Sequence, residues 1–234
     1  MRRSRGMTLV ELVFIAIVVA VLAGILVVTA RNALWRAQEA ARRASCMGNV
    51  RCIGQAMFMY AQDHGDRFMP LVDAAGNRVP AVDNAGVVSN LPARTGFAVL
   101  FKDGYLTTTA VFYCTSSGAN RPKSFPTDFE NAPLASLILP EGNCSYGWDP
   151  TKTHAADATC AIVADNPPTN ASPAANGTAA NNSPNHRGGG QNVFYNDGHV
   201  KWGVTPAPDS GDDPDIYTGA AGYERSATDA KIIR

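Results

Sequence analysis

The sequence predicts an α+β fold: a long N-terminal helix, membrane-spanning in its first half, packs by its second half on a small antiparallel β-sheet head. Three observations predict it. Residues 7–30 are apolar almost without interruption, and roughly 20 such residues at ~1.5 Å each cross a ~30 Å hydrocarbon core. Helix-forming residues then continue, in an amphipathic pattern, to Asp63. Beyond it, short apolar runs alternate with Pro, Gly, Asn and Asp, the pattern of strands and turns. The expected organisation is a cytoplasmic leader at 1–6, a transmembrane half-helix at 7–30, an amphipathic half at 31–63 and a globular head at 64–234.

Arg2, Arg3 and Arg5 form a basic leader, which the positive-inside rule keeps in the cytoplasm while the head is exported. A cleaved secretory signal fits poorly, because no small-residue cleavage box follows the apolar run and Arg31-Asn32 leads into more helix. Glu11 interrupts the apolar run one turn inside it. A carboxylate there costs roughly 3 kcal/mol on insertion scales, so it needs a partner or a role. It can snorkel to the interface of a lone anchor. Alternatively, it can pair with a cation on a neighbouring helix, which fixes register more than it stabilises, since desolvation offsets much of the Coulomb gain.

The helix is expected from Thr8 to Asp63. Ile53, Met57 and Tyr60, with Met59 nearby, give its second half a buried stripe, and His64-Gly65-Asp66 ends it. Thr95–Lys102 reads as a short helix. Strands are expected at Val111–Cys114, Cys144–Trp148, Cys160–Ala164, Gln191–Tyr195 and His199–Val204. The last two flank Asn196-Asp197-Gly198, a tight-turn signal for an antiparallel hairpin. Residues 166–184, nearly all Ala, Asn, Pro, Thr and Ser, read as a flexible surface loop.

Formal net charge is zero, and loss of the leader arginines would leave the chain mildly acidic, so nothing in its charge points to nucleic acid. Cys46, Cys52, Cys114, Cys144 and Cys160 all lie beyond the apolar run. An exported head would meet an oxidising compartment in which disulfides persist. No Cys-x-x-Cys pair is present, which argues against a structural zinc site. The odd count leaves one thiol free or paired between chains. The expected pairs are Cys144 with Cys160, and Cys114 with Cys46 or Cys52.

Arg5-Gly6-Met7-Thr8-Leu9-Val10-Glu11 resembles the class III signal of type IV pilins and type II secretion pseudopilins. The resemblance implies cleavage by a prepilin peptidase after Gly6, methylation of Met7 as the new N-terminus, and Glu11 at the fifth mature position as the assembly glutamate. A second block, Cys46-Met47-Gly48-Asn49-Val50-Arg51-Cys52-Ile53-Gly54, resembles a large pseudopilin-like family abundant in planctomycete-like bacteria. That family carries a His-Gly-rich-Asp-Gly motif near its C-terminus. Here the motif corresponds to His186, Asp197 and Gly198, followed by His199, with ten residues between His186 and Asp197 where the family has nine.

His186, Asp197 and His199 could gather around a metal, although Asp197-Gly198 is also what a hairpin turn requires. Asp209, Asp212, Asp213 and Asp215 place four carboxylates in seven residues, the oxygen-rich character of a calcium loop without EF-hand spacing. No nucleophile–base signature, phosphate loop or paired-carboxylate motif appears. The expectation is a structural subunit rather than an enzyme, without a cofactor unless calcium binds the acidic run. It would sit in a bacterial inner membrane and assemble into a secretion pseudopilus or a type IV pilus-like filament, periplasmic or at the cell surface. Its partners would be other pilin-like subunits, the prepilin peptidase, the inner-membrane assembly platform and membrane lipid. The alternative is a membrane-anchored binding or metal-dependent enzymatic head that uses the signal only as an anchor.

Overall fold

The computed structural model describes residues 8–82, 89–117, 131–169, 177–207, 215–218 and 231–233. The chain divides into two units, Met1–Ala41 and Arg42–Arg234, and helix α1 (Leu9–Asp63) runs through the boundary. Gly6, Met7 and the rest of the leader lie outside the described residues, as do Asp209, Asp212 and Asp213.

In the first unit, Thr8 starts α1. Its hydroxyl accepts the Glu11 backbone N–H at 3.3 Å, and its carbonyl accepts that of Leu12 at 3.1 Å. The residues from Leu9 to Gln38 are exposed on every face of the helix. The one hydroxyl in the middle of this stretch turns inward: Thr29 Oγ1 donates to the carbonyls of Ile25 and Leu26, both at 3.0 Å. From Leu12 to Ala30 the helix is apolar all round apart from Thr29, whose hydroxyl is satisfied internally, and such a surface is suited to lipid or to burial among other helices.

In the second unit, α1 becomes one-sided. Cys46, Val50, Ile53, Met57 and Tyr60 are buried, along with Ala56 and Ala61, at three- and four-residue steps. Met59 does not join the stripe as expected; it is 47% exposed, because one residue's step turns a helical position ~100° from its neighbour. The helix ends as the sequence predicts. Asp66 N–H reaches back to the Ala61 carbonyl at 2.9 Å, with Gly65 at φ 64°, the six-to-one closure of a Schellman motif.

The stripe packs on a four-stranded antiparallel sheet in chain order: β3 (Tyr146–Trp148), β4 (Ala161–Asp165), β5 (Gln191–Tyr195) and β6 (Val200–Gly203), numbered after a small antiparallel pair, β1 (Leu71–Val72) and β2 (Arg78–Val79). The β1–β2 pair, absent from the sequence expectations, is joined by Asp73, whose Oδ1 accepts the backbone N–H groups of Ala75 and Asn77. Strands β4 and β5 are buried along their whole length. The C-terminal Ile233 bridges Trp148, exchanging backbone hydrogen bonds at 3.1 and 3.2 Å. Between β5 and β6 lies the predicted hairpin, a four-residue connection, Asn196 to His199, with Gly198 at φ 88°.

Two expectations need correction. The segment read as a strand from Val111 opens instead as a 3₁₀ turn, Thr109–Phe112, because the Thr108 hydroxyl caps the N–H of Ala110. Phe112 still enters the core, and its carbonyl accepts the N–H of Ser145. The stretch expected as a surface loop contains Asn181, Asn182 and Ser183, all buried. The short helix is found as a 3₁₀ turn, Ala93–Gly96, leading into α2 (Phe97–Lys102).

Helix and sheet approach closely at Gly54, where a Cβ would collide with the Phe194 ring. That ring is fully buried and held edge-on by Phe58, with centroids 5.1 Å apart, so it has no room to yield. Gly54→Ala is therefore expected to destabilise the head by about 1–3 kcal/mol in urea unfolding, although alanine gains ~1 kcal/mol in helix propensity. An unchanged or higher midpoint would show that the helix can move off the sheet.

Candidate functional site

Among the described residues, Glu11 lies at the exposed start of α1, Cys46, Cys114 and His186 at the junction of α1 with the head, and Asp197, Gly198, His199 and Asp215 elsewhere in the head. Glu11 lies in the first turn of α1 and is exposed. Thr8 and Glu11 stand in the Thr-x-x-Glu spacing of a capping box, and the half of it that runs from Glu11 N–H to Thr8 Oγ1 is formed. A carboxylate in that turn also faces the positive end of the helix dipole. This local role was readable in the sequence and was overlooked there.

The stalk block has a structural explanation residue by residue. Cys46 forms a disulfide with Cys114, Cα atoms 5.4 Å apart, tying the stalk helix to the head. One turn on, Asn49 Nδ2 donates to the Tyr113 carbonyl at 3.0 Å and to the Tyr146 hydroxyl at 3.2 Å. Val50 and Ile53 are fully buried, and Gly54 admits Phe194. Cys52, on the outer face, is a free exposed thiol.

The expected disulfide between Cys144 and Cys160 is not made; both side chains are buried. The strand register gives the reason. Tyr146 pairs with Asp165 and Trp148 with Val163 in an antiparallel arrangement, so Cys144, before β3, and Cys160, before β4, sit at opposite ends of the strand pair. Cys144 Sγ instead donates to the Tyr146 carbonyl at 3.2 Å.

His186 lies against the disulfide, its Nε2 3.5 Å from Cys114 Sγ and 3.9 Å from Asp165 Oδ2, with the His and Asp side chains wholly buried. Its backbone and that of Arg187 are left-handed, at φ 52° and 59°, a cost that surrounding structure must offset. The His186 N–H donates to the Ser116 carbonyl at 3.2 Å, and Trp202 meets the ring edge-on with centroids 5.2 Å apart. Arg43 from α1 lies over Trp202 at 4.3 Å.

Asp165 is the hub of this buried polar cluster. Its Oδ1 accepts from Asn185 Nδ2 at 2.8 Å, and its Oδ2 accepts from the Asn192 N–H at 2.6 Å and from Asn192 Nδ2 at 3.2 Å. Burial raises the Asp165 carboxyl above its usual range, and these donors and His186 oppose the shift. Tyr217, whose hydroxyl donates to the Asp165 carbonyl, and Tyr146 are pushed well up by the same burial. The sequence reading missed Asp165, Asn185 and Asn192. Its only signal was a polar residue closing the apolar run Ala161–Ala164 and another inside the β5 pattern.

Asp197, Gly198 and His199 do not meet His186. They occupy the turn after β5 while His186 precedes it, and five strand residues separate the ends by ~16 Å. Asp197 accepts the His199 N–H at 3.0 Å, which, with its other bonds to His199, holds its carboxyl below the ordinary range. Of the proposed calcium ligands, Asp215 is described. It is fully buried and accepts from Asn181 Nδ2, Tyr217 N–H and Gly177 N–H, at 2.7, 2.9 and 3.2 Å. Both its oxygens thus serve the fold. Among the described residues, one group of His, Cys, Asp and Glu donors is gathered closely enough to hold an ion: Cys46, Cys114 and His186.

Residues 36–79 match the family described as "Protein of unknown function (DUF1559)". The match takes in the stalk block from Cys46 to Gly54 and runs on through β2. No curated protein and no solved structure matches the chain.

The disulfide closes a separation of 68 residues, for which loop entropy gives about 4 kcal/mol. The Cys46→Ser/Cys114→Ser variant is expected to lose about 2–4 kcal/mol in chemical unfolding; a loss under about 0.5 kcal/mol would show that packing alone holds stalk to head. Asp165→Ala strands the backbone and amide N–H donors of Asn192 and removes one of the two acceptors of Asn185 Nδ2, and is expected to cost about 2–4 kcal/mol by the same measurement. A near-neutral result would remove Asp165 from its place as hub.

Proposed function

We propose that this chain is a pilin-like structural subunit, cleaved after Gly6, methylated at Met7 and assembled through the helix at 7–62 into a pseudopilus or type IV pilus-like filament. One observation carries the reading: an all-apolar helix exposed on every face from Leu9, with a carboxylate in its first turn. Lipid covers such a helix before assembly and neighbouring helices cover it afterwards. Both are apolar, so the transfer between them costs little, and the polar groups decide register. Glu11 paired with the N-terminal ammonium of an adjacent subunit supplies that register. The match over residues 36–79 supports the reading only through the stalk block it contains.

In this account the subunit sits in a bacterial inner membrane with the head outside the cytoplasm. It is served by a prepilin peptidase and an assembly platform, and it contributes structure rather than catalysis. The place of the Glu11 carboxylate in the first turn, facing the positive end of the helix dipole, favours a second reading, in which Glu11 serves its own helix and the chain is a lone anchor for a binding head.

The two readings differ in Glu11→Ala. As a register residue, its loss abolishes recovery of the protein in sheared filament fractions, while the membrane pool and cleavage remain. As a first-turn carboxylate facing the helix dipole, its loss costs the helix about 0.3–1 kcal/mol, the Thr8 bond to the backbone N–H being retained, and leaves those fractions unchanged. Unchanged recovery would overturn assembly through Glu11.

A further inference from the structure

We infer that Cys46, Cys114 and His186, once the disulfide is opened, form a buried structural site for a thiophilic divalent cation, with zinc(II) as its natural occupant. The two sulfurs and one imidazole nitrogen all lie within 4.8 Å of one another. Tetrahedral zinc, with bonds of ~2.3 Å to sulfur and ~2.0 Å to nitrogen, sets its donors roughly 3.5–3.8 Å apart. Cys114 Sγ and His186 Nε2 already stand 3.5 Å apart. Once the disulfide opens the sulfurs must separate to that spacing, and with Cα atoms 5.4 Å apart side-chain rotation provides it.

Charge and orientation favour the same occupant. Two thiolates and a neutral imidazole make the ion's immediate surroundings electrically neutral, so burying it avoids the penalty of a bare charge. Asp165 Oδ2, 3.9 Å from the ligating nitrogen, stands outside this group of three donors and keeps the surroundings of the imidazole polar. The left-handed backbone at His186 is the kind of local strain that persists where a side chain must be aimed; the Ser116 carbonyl holds its backbone N–H, and Trp202 packs edge-on against the ring. The ligands come from α1, from the segment after the Thr109–Phe112 turn and from the Asn185–Gly188 turn. An ion here therefore replaces one cross-link between stalk and head with another.

The chemistry balances without further components. A dithiol opens the disulfide by exchange and is itself oxidised to a disulfide, leaving two thiols. Each thiol releases one proton as zinc binds. Disulfide and ion exclude each other, so the redox state selects which clamp is present.

The test uses the full chain in detergent, reduced with a dithiol that is then removed anaerobically, and exposed to zinc(II) or cobalt(II). After desalting, one zinc per reduced chain is expected and none per oxidised chain. Cobalt should show thiolate charge-transfer and tetrahedral d–d bands. Cys46→Ser/Cys114→Ser should abolish binding, and His186→Ala should weaken it at least tenfold and alter the cobalt spectrum; Cys52→Ser should leave both unchanged. Because variants can fail to fold, the reduced native chain is also melted with and without zinc, and zinc should raise its Tm. The inference is overturned by no retained zinc, by no shift in melting, or by retention that survives loss of Cys46 and Cys114, which would place the ion on Cys52, Cys144 or Cys160.

Discussion

One helix meeting two environments along its length is the constraint on which this chain is built. From Leu9 to Trp35 its large apolar side chains are exposed on every face. Even at ~1 kcal/mol apiece, below the ~1.5–3 kcal/mol of full burial, the run would outweigh the ~5–15 kcal/mol net stability of a typical domain. Such a surface has to be covered by lipid or by other helices. From Cys46 onward the same helix presents a single stripe, and its cover is the head's own sheet. The helix thus forms part of a domain core at one end and asks for an external partner at the other.

Three devices fasten the stalk to the head within about two and a half turns of helix. Cys46 is covalent, Asn49 reaches the backbone of Tyr113 and the hydroxyl of Tyr146, and Gly54 lets the sheet approach at Phe194. The disulfide in turn rests on a buried polar cluster centred on Asp165. The buried amides around Asp165 give specificity of docking in place of raw stability, because each donor is costly if the fit is lost.

Legibility followed the range of the interaction. The helix end at His64-Gly65-Asp66 and the hairpin at Asn196-Asp197-Gly198 were readable because each depends on a glycine with positive φ inside a few residues of chain. The 3₁₀ turn at Thr109–Phe112 was misread as strand because β-branched and aromatic composition outweighed the cap at Thr108. Disulfide partners were half legible: Cys46 stood among the candidates for Cys114, but spacing could not separate it from Cys52, one and two-thirds turns further on and facing outward. The Asp165 cluster was illegible, since it joins residues from β4, β5 and the Asn185–Gly188 turn that only the sheet topology brings together. The split of the family motif, with His186 and Asp197 at opposite ends of β5, was hidden for the same reason.

The central claim is that α1 begins its mature life at Met7 as an assembly helix. Intact-mass and N-terminal peptide mass spectrometry of the protein taken from membranes of its native host tests that most directly. The account predicts a chain lacking residues 1–6 and carrying one methyl group on the Met7 amine. A chain that retains Arg2-Arg3-Ser4-Arg5-Gly6, or one cut after the apolar run, would contradict it.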